Sequence, residues 1–351
     1  MRKTEQLGGF LTGNSFRGVT VARPKDTIMN SRVLFPVTLM PVILFCSFTH
    51  IAQCQASDGP TASNGSGQSD FASLRQQAQN GDAKAQYLLG LSYMMGATIS
   101  QDYREAAKWY GKAAAQGYAE ARFGLGYLYE QGKGVRKDYR QALANYTAAA
   151  KQGHSTAQNN LGSMYQHGEG VRKSLHEAVR WYRAAADGGN VTAQCNLASL
   201  YFRGGGVVQD YAQAARWFRA AAEQDDPPAQ EDLAWMYYSG TGVNLDYLQA
   251  AKWVQRAAGR GYARAQIDLG FLYEQGKGVP LDYVSAYAWY NLAVAGGDER
   301  GLARMKSLSR LMTQEQIKDA SNRVAQFAGP RLPKERANNS NGIRSSFIDQ
   351  Q

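Results

Sequence analysis

Hydrophobic and polar positions recur along most of this chain at a fixed interval of 36 residues, without insertion or deletion. Within each unit an alanine, a leucine and a tyrosine lie four residues apart, which places them on one face of a helix. The first unit has Ala85, Leu89 and Tyr93, and later units repeat this spacing through Ala265, Leu269 and Tyr273. We therefore expect a helix, called helix A, over about Ala85–Tyr93 and over the equivalent residues of every later unit.

A second helix, called helix B, is predicted after a glycine-rich turn in each unit. The turn reads GKGV from Gly132 to Val135, and its first glycine can adopt the left-handed conformation that ends a helix. An Asp or Ser followed three residues later by Glu or Gln is typical of a capping box. Such pairs open helix B at Asp102, Asp138, Ser174, Asp210 and Asp246, whereas Asp282 lacks the partner. Helix B then ends at a glycine such as Gly117.

The residue after the leucine of helix A is small in every unit: Gly90, Gly126, Gly162, Ala198, Ala234 and Gly270. Glycine inside a helix costs about 1 kcal/mol relative to alanine. A column of six small residues therefore predicts that another helix crosses helix A at this point.

With these features the chain resembles the Sel1-like repeat family. The segment AQNNLGSMYQHGEGVRKSLHEAVRWYRAAADGG, from Ala157 to Gly189, is similar to the family pattern ALGxxYxxGxGVxxDxxxAxxWYxxAAxxG. The resemblance implies an all-α fold, a right-handed α/α superhelical solenoid of 36-residue helix-turn-helix repeats related to tetratricopeptide solenoids. It also implies binding of other proteins. The predicted repeats are 85–120, 121–156, 157–192, 193–228, 229–264 and 265–300.

The segments outside the repeats divide into capping helices and non-globular ends. Solenoids need atypical terminal units with a polar outer face, and we expect these at 70–84 and 301–329. A Gly- and Ser-rich stretch over 57–69 is predicted to be a flexible linker. The polar tail over 330–351 is predicted to be disordered.

The beginning of the chain resembles an export signal. Residues 1–32 form a basic extension, and the uncharged run Val33–Phe48 is shorter than the roughly 20 residues that span a bilayer. Translation from Met29 would give an ordinary signal peptide over residues up to 56, cleaved before Ser57. The sequence therefore predicts an exported protein, periplasmic or secreted. Two alternatives stay open: a single-pass membrane anchor through residues 33–52, and lipidation at Cys54.

The net charge of +10 invites a nucleic-acid interpretation, but its distribution argues against one. Residues 1–32 carry six basic and two acidic side chains, and residues 330–351 carry four basic and two acidic ones. The long stretch between them is close to neutral, whereas duplex binding needs Lys and Arg gathered on one surface.

The side chains that carry chemistry form no recognisable catalytic or metal-binding pattern in the sequence. The four histidines, His50, His154, His167 and His176, show no HExxH spacing and no cysteine partners. Cys195 occupies a column that also holds Tyr87, Phe123, Asn159, Glu231 and Ile267. We therefore predict no catalytic residue, no metal and no cofactor. Hydrolase activity, claimed for cysteine-rich relatives of β-lactamase type, remains an alternative, although this chain lacks those cysteines.

Partner-binding residues are expected at repeat positions whose residue type differs from unit to unit, while the positions that build the scaffold keep the same residue type. If helix A lines the concave face, two such columns place aromatic rings there, and they supply the candidates Tyr127, Phe202, Trp235, Tyr238 and Phe271. The alternative is that these rings pack between neighbouring units. The sequence thus predicts a non-enzymatic scaffold that binds a protein or peptide in the cell envelope, or, as an alternative, an adaptor that contacts glycan or peptidoglycan.

Overall fold

The computed structural model describes residues 66–97 and 99–327, and these residues form fifteen α-helices and no strand. The predicted all-α solenoid is therefore confirmed. The helices are α1 Ser66–Gln79, α2 Ala83–Met95, α3 Tyr103–Ala115, α4 Ala119–Gln131, α5 Tyr139–Ala150, α6 Ser155–His167, α7 Leu175–Asp187, α8 Val191–Arg203, α9 Tyr211–Glu223, α10 Pro227–Ser239, α11 Tyr247–Gly259, α12 Ala263–Gln275, α13 Tyr283–Ala295, α14 Arg300–Leu308 and α15 Gln314–Phe327.

The repeating unit is a pair of antiparallel helices stacked on the next pair. The even-numbered helices α2 to α12 are the A helices of units 1 to 6, and the odd-numbered helices α3 to α13 are the B helices. Each A helix packs on the B helix of its own unit, and each B helix packs on the A helix that follows. The core is thus continuous from unit to unit, as expected of a solenoid in which no unit buries its apolar face alone.

The caps of the B helices differ from the predicted capping boxes in one respect. The side chain of Asp102 accepts hydrogen bonds from the backbone N–H groups of Arg104 and Glu105, as expected. The backbone N–H of Asp102, however, is donated to the carbonyl of Tyr93 at 2.9 Å, and Glu105 instead pairs with Lys108. The same cap-to-tyrosine bond recurs in all six units. The cap therefore ties the start of helix B to the end of helix A.

The turn glycine and the small-residue column have the predicted roles. Gly132 ends α4 with φ of 68°, in the left-handed region. A Cβ on Gly162 would lie 2.7 Å from the ring of Tyr182 on helix B, so the close crossing partner is this aromatic ring. Where helix A carries alanine instead, at Ala198 and Ala234, the corresponding B residues are Phe218 and Val254.

A buried or half-buried glutamine joins helix A to the helix before it in five of the six units. Gln230 is fully buried, and its side-chain amide donates to the carbonyl of Ala222 at the end of the preceding B helix, at 3.0 Å. Equivalent bonds run from Gln86, Gln158, Gln194 and Gln266. Each of these helix-terminal carbonyls also accepts a backbone N–H from the turn that follows, as Ala222 does from Asp225, so the glutamine adds a second hydrogen bond that ties helix A to the preceding B helix.

The outer tryptophan column is covered by cations along the stack. Lys112 lies 4.1 Å from the ring centroid of Trp109, and Arg256 lies 4.9 Å from that of Trp253. At the last unit an aromatic ring takes this place: Phe327 of α15 stacks on Trp289, with centroids 4.7 Å apart. Helix α15 thus closes the outer layer of unit 6.

The terminal segments fit half-units, with one correction. Helix α1 begins at Ser66, inside the stretch 57–69 that was predicted to be a linker. The helix docks through Phe71, Leu74 and Ala78 against the core of unit 1, which outweighs the polar composition of its first residues. At the other end Thr313 and Gln316 form a reciprocal capping box at the start of α15.

The predicted segments 1–32, 33–56 and 330–351, with Cys54 and the residues of the linker before Ser66, lie outside the described residues. Among the helices of the part that the structure does describe, none is both long and apolar enough to cross a bilayer.

Candidate partner-binding surface

The A helices form one layer of the stack, which we call the inner layer, and the B helices form the other, which we call the outer layer. Side chains of successive A helices contact one another directly: Asn196 donates to Asn159 at 3.1 Å, and Arg264 pairs with Glu231 at 2.6 Å. The B helices instead turn charged side chains to solvent, since Lys108 and Arg180 are 57% and 66% exposed. The A helices therefore contact one another along the stack, whereas the B helices carry solvent-exposed charge.

Three of the five aromatic candidates lie in the core. Phe271 is completely buried, Tyr127 is 4% exposed and Tyr238 is 8% exposed. The ring of Phe271 contacts that of Tyr238 edge-on, with centroids 6.3 Å apart, so the two join units 5 and 6. The hydroxyl of Tyr238 accepts a hydrogen bond from Lys277 at 2.7 Å. Phe271 and Tyr238 therefore hold units 5 and 6 together.

In the candidate column that contains Phe202 and Tyr238, the residue type on helix A depends on the core residue that faces it from helix B. In units 2 and 6 helix B carries a tyrosine, and its hydroxyl donates at 2.6 Å to Glu130 in one case and to Glu274 in the other. In units 4 and 5 the B residue, Phe218 or Val254, has no hydroxyl, and the facing A residue is the aromatic Phe202 or Tyr238. An aromatic ring therefore occupies the place that an acceptor for the B-helix hydroxyl occupies in units 2 and 6.

Phe202 and Trp235 are the candidates that remain accessible. Both are half-buried, and their rings meet edge-on with centroids 5.7 Å apart, across the junction of units 4 and 5. We define the inner surface as Phe202 and Trp235 together with the accessible residues on the same layer: Ser163, His167, Arg203 and Ser239. This surface combines aromatic rings with hydrogen-bonding groups, the mixture found where proteins bind partners.

Beneath the inner surface of unit 5 lies a buried group of charged residues. Glu231 is 4% exposed and Asp268 is fully buried. Burial raises the pKa of Glu231 well above its ordinary value; the neighbouring charge of Asp268 acts in the same direction, and the Arg264 guanidinium opposes both. Burying charges is costly unless they are paired. The group therefore fixes how units 5 and 6 meet and offers no carboxylate to solvent.

Two histidines and Cys195 have structural surroundings that explain them. His154 caps α6: its Nδ1 accepts the backbone N–H of Ala157 at 3.2 Å, and burial lowers the pKa of the ring. His167 contacts Ser163 one turn earlier on the same helix. Burial raises the pKa of the Cys195 thiol, which leaves it a weak nucleophile. Within the described ranges no group of His, Cys, Asp and Glu is arranged to hold a metal ion.

Comparison with known families identifies the architecture. A family model of the Sel1 repeat matches six consecutive segments: 83–118, 119–154, 155–190, 191–226, 227–262 and 263–298. The chain belongs to the Sel1 repeat family. Each segment has the predicted period and starts at the first residue of an A helix, at 83 in the first unit where 85 was predicted. Sel1 repeats are generally scaffolds for protein–protein interaction and not enzymes.

Two solved structures resemble the chain over most of the described region. One is a protective antigen present in uropathogenic Escherichia coli strains, which displays an SLR fold; it is 33% identical with a TM-score of 0.67, and the match covers 73% of this chain. This chain spans 57% of that protein's length. The other is a Sel1 repeat protein from Oxalobacter formigenes, 30% identical, with a TM-score of 0.54 and coverage of 64% and 94% of the two chains. No curated protein matches the chain.

Proposed function

We propose that this chain is an exported scaffold that binds a protein or peptide through the inner surface of units 3 to 5. The observation that carries the proposal is the half-buried pair Phe202 and Trp235, which stays accessible on the inner layer while the other candidate rings are buried. Tryptophan is strongly enriched among residues that dominate binding energy. Repeats that share one scaffold and differ at their inner positions can hold a partner without changing the fold.

A comparison of matched variants in an affinity purification tests this surface. The inner variant carries His167→Ala, Arg203→Ala and Trp235→Leu. The outer control carries Lys108→Ala, Arg180→Ala and Trp253→Leu on the B helices. The tagged protein and both variants are used to purify partners from envelope extract, and each is checked by thermal melting. We expect a partner that the outer control retains and the inner variant loses by at least about tenfold, since a hot-spot residue contributes about 2 kcal/mol or more.

The same partner recovered equally with both variants would place binding elsewhere. If the inner variant loses the partner only because it is unstable, its melting temperature will be lower than that of the parent. A milder variant with Trp235→Phe, His167→Ala and Arg203→Ala then tests the surface while keeping an aromatic ring in the core contact.

Export is the second part of the proposal. The apolar run Val33–Phe48 follows Arg32, and small or polar residues precede Ser57. The Escherichia coli relative is a protective antigen, which supports a location outside the cytoplasm for this chain as well. We expect N-terminal sequencing of the protein from its native cells to begin near Ser57. A fraction that begins at Met29 and sediments with membranes would indicate an anchor, and a cytoplasmic chain that begins at Met1 would refute export.

A further inference from the structure

The turns between helices A and B form one edge of the stack, and the side chains at their tips change in character along it. We call this edge the loop edge. We define its tip positions as the two residues directly before the N-cap of each B helix. From unit 1 to unit 6 they are Ser100-Gln101, Arg136-Lys137, Arg172-Lys173, Val208-Gln209, Asn244-Leu245 and Pro280-Leu281. The second residue of helix B follows the same trend through unit 5, as Arg104, Arg140, His176, Ala212 and Leu248, whereas Val284 of unit 6 is buried. The tip residues are thus basic in units 2 and 3, and the tips of units 4 to 6 are uncharged and each contain an aliphatic residue.

The apolar tips project into solvent. Val208 is 88% exposed, Leu281 60%, Leu245 56% and Leu248 55%. The Cβ of Leu245 lies beside Gly240, and that of Leu281 lies beside Gly276, so the turn glycines leave room for the base of each leucine side chain. Single exposed leucines are common on proteins. Here the tips of three successive units project apolar side chains: Val208 at the first tip position of unit 4, and Leu245 and Leu281 at the second tip position of units 5 and 6. Together they form an apolar row along the edge, which indicates a contact surface.

The basic tips adjoin this row on the same edge. Arg136, Lys137, Arg172 and Lys173 are all exposed. Two nearby carboxylates already accept hydrogen bonds from other groups: Asp138 caps α5, and Glu130 accepts from the hydroxyl of Tyr146. Glu169, in the turn of unit 3, is the acidic residue that offsets this charge most directly. The four tip cations outnumber it, so the edge is positive at units 2 and 3.

We propose that the loop edge contacts a membrane that contains anionic lipid, with Val208, Leu245 and Leu281 entering the headgroup region and the basic tips binding lipid phosphates. Protruding apolar side chains can enter a bilayer without a complementary surface on the other side. Basic side chains near an anionic surface add binding that weakens with salt. The loop edge is separate from the inner surface, so the scaffold could hold a partner while this edge rests on the bilayer.

Co-sedimentation of the full chain with vesicles tests the proposal. Vesicles of phosphatidylcholine, with and without phosphatidylglycerol, are compared at low and high salt. The tip variant carries Val208→Ser, Leu245→Ser and Leu281→Ser; its control carries Leu302→Ser and Leu311→Ser, which removes exposed leucines from outside the edge. We expect the tip variant to bind at least about tenfold more weakly, from the apolar area withdrawn from water, and the control to bind like the parent.

The basic tips of the loop edge are tested with a second pair, a variant and its control. Arg136, Lys137, Arg172 and Lys173 are changed to Glu in one variant, and Lys151, Lys306, Arg310 and Lys318 are changed to Glu in the control. The first set should abolish the preference for phosphatidylglycerol at low salt, and the control set should retain it.

A local probe separates this edge from the apolar run Val33–Phe48, which is common to all variants. Cys46 and Cys54 are changed to Ser, and a cysteine is introduced by Leu281→Cys or by Leu302→Cys. An environment-sensitive fluorophore is then attached to the introduced thiol, since Cys195 is buried and does not compete for the label. The label at 281 should shift to shorter wavelength with anionic vesicles, and the label at 302 should not. Equal shifts, or no shift at 281, would overturn the proposal. So would tip variants that bind vesicles normally but lose a protein partner.

Discussion

Phe271→Ala is expected to lower the free energy of unfolding by about 3–5 kcal/mol, the typical cost of removing a fully buried phenylalanine. The ring is completely buried and contacts Tyr238 of the unit before it. Arg304 of the first C-terminal capping helix also lies over its face, 5.5 Å from the centroid. The loss therefore weakens both the junction of units 5 and 6 and the docking of the terminal helices. Urea unfolding followed by circular dichroism measures it.

Phe202→Ala serves as the comparison for this variant. Its ring is half-buried, so less apolar area is withdrawn from water on folding and the loss should be smaller. If Phe271→Ala unfolded at the same urea concentration as the parent and only weakened binding, Phe271 would be a binding residue and the packing described here would be wrong.

Gly278→Ala is expected to be as damaging, for a steric reason. The second glycine of the GKGV turn in unit 6 has φ of 70°, and a Cβ at this position would clash with the backbone carbonyl of Tyr247 at the start of the preceding B helix. Backbone atoms cannot move aside without separating units 5 and 6. We expect a loss of several kcal/mol, beyond the roughly 1–2 kcal/mol that a left-handed alanine costs by itself.

Gly261→Ala isolates the conformational part of this effect. Gly261 also has positive φ, of 83°, but a Cβ there meets nothing within 4 Å. It should therefore show only the cost of the left-handed backbone. Thermal melts of the two variants give the comparison, and equal losses would mean that the turn does not contact the preceding unit.

The fold could be predicted from the sequence because the repeat shows each packing position six times. Columns such as Ala85 to Ala265 report which face is buried, and the glycine and Asp columns report where helices end. The capping pattern was correct for the side chain of Asp102 but wrong for its backbone N–H. The spacing along the chain shows which side chain can cap the helix. The three-dimensional structure shows that the carbonyl of Tyr93, and not the Glu105 side chain, accepts the backbone N–H of Asp102.

The candidate surface was harder to predict because variation in a column was taken as a sign of exposure. Tyr238 and Phe202 vary with the core residue opposite them, Val254 or Phe218, and with the alanine that replaces the small glycine. Reading the three columns together would have indicated that units 4 and 5 repack their cores. The buried glutamines were missed for a related reason: a polar residue that recurs beside a buried alanine, as Gln230 beside Ala229, signals a buried hydrogen bond.

Site-specific photo-crosslinking tests most directly whether partners bind the inner surface. A photoreactive amino acid is placed at His167, Arg203 or Ser239 on the inner layer, and at Lys108, Ala144 or Arg216 on the B helices, one position at a time. All six residues are accessible, so the fold should tolerate each change. We predict that the inner positions crosslink to one common protein in native cells and the outer positions do not. Crosslinks to that protein from the outer positions alone would contradict the account.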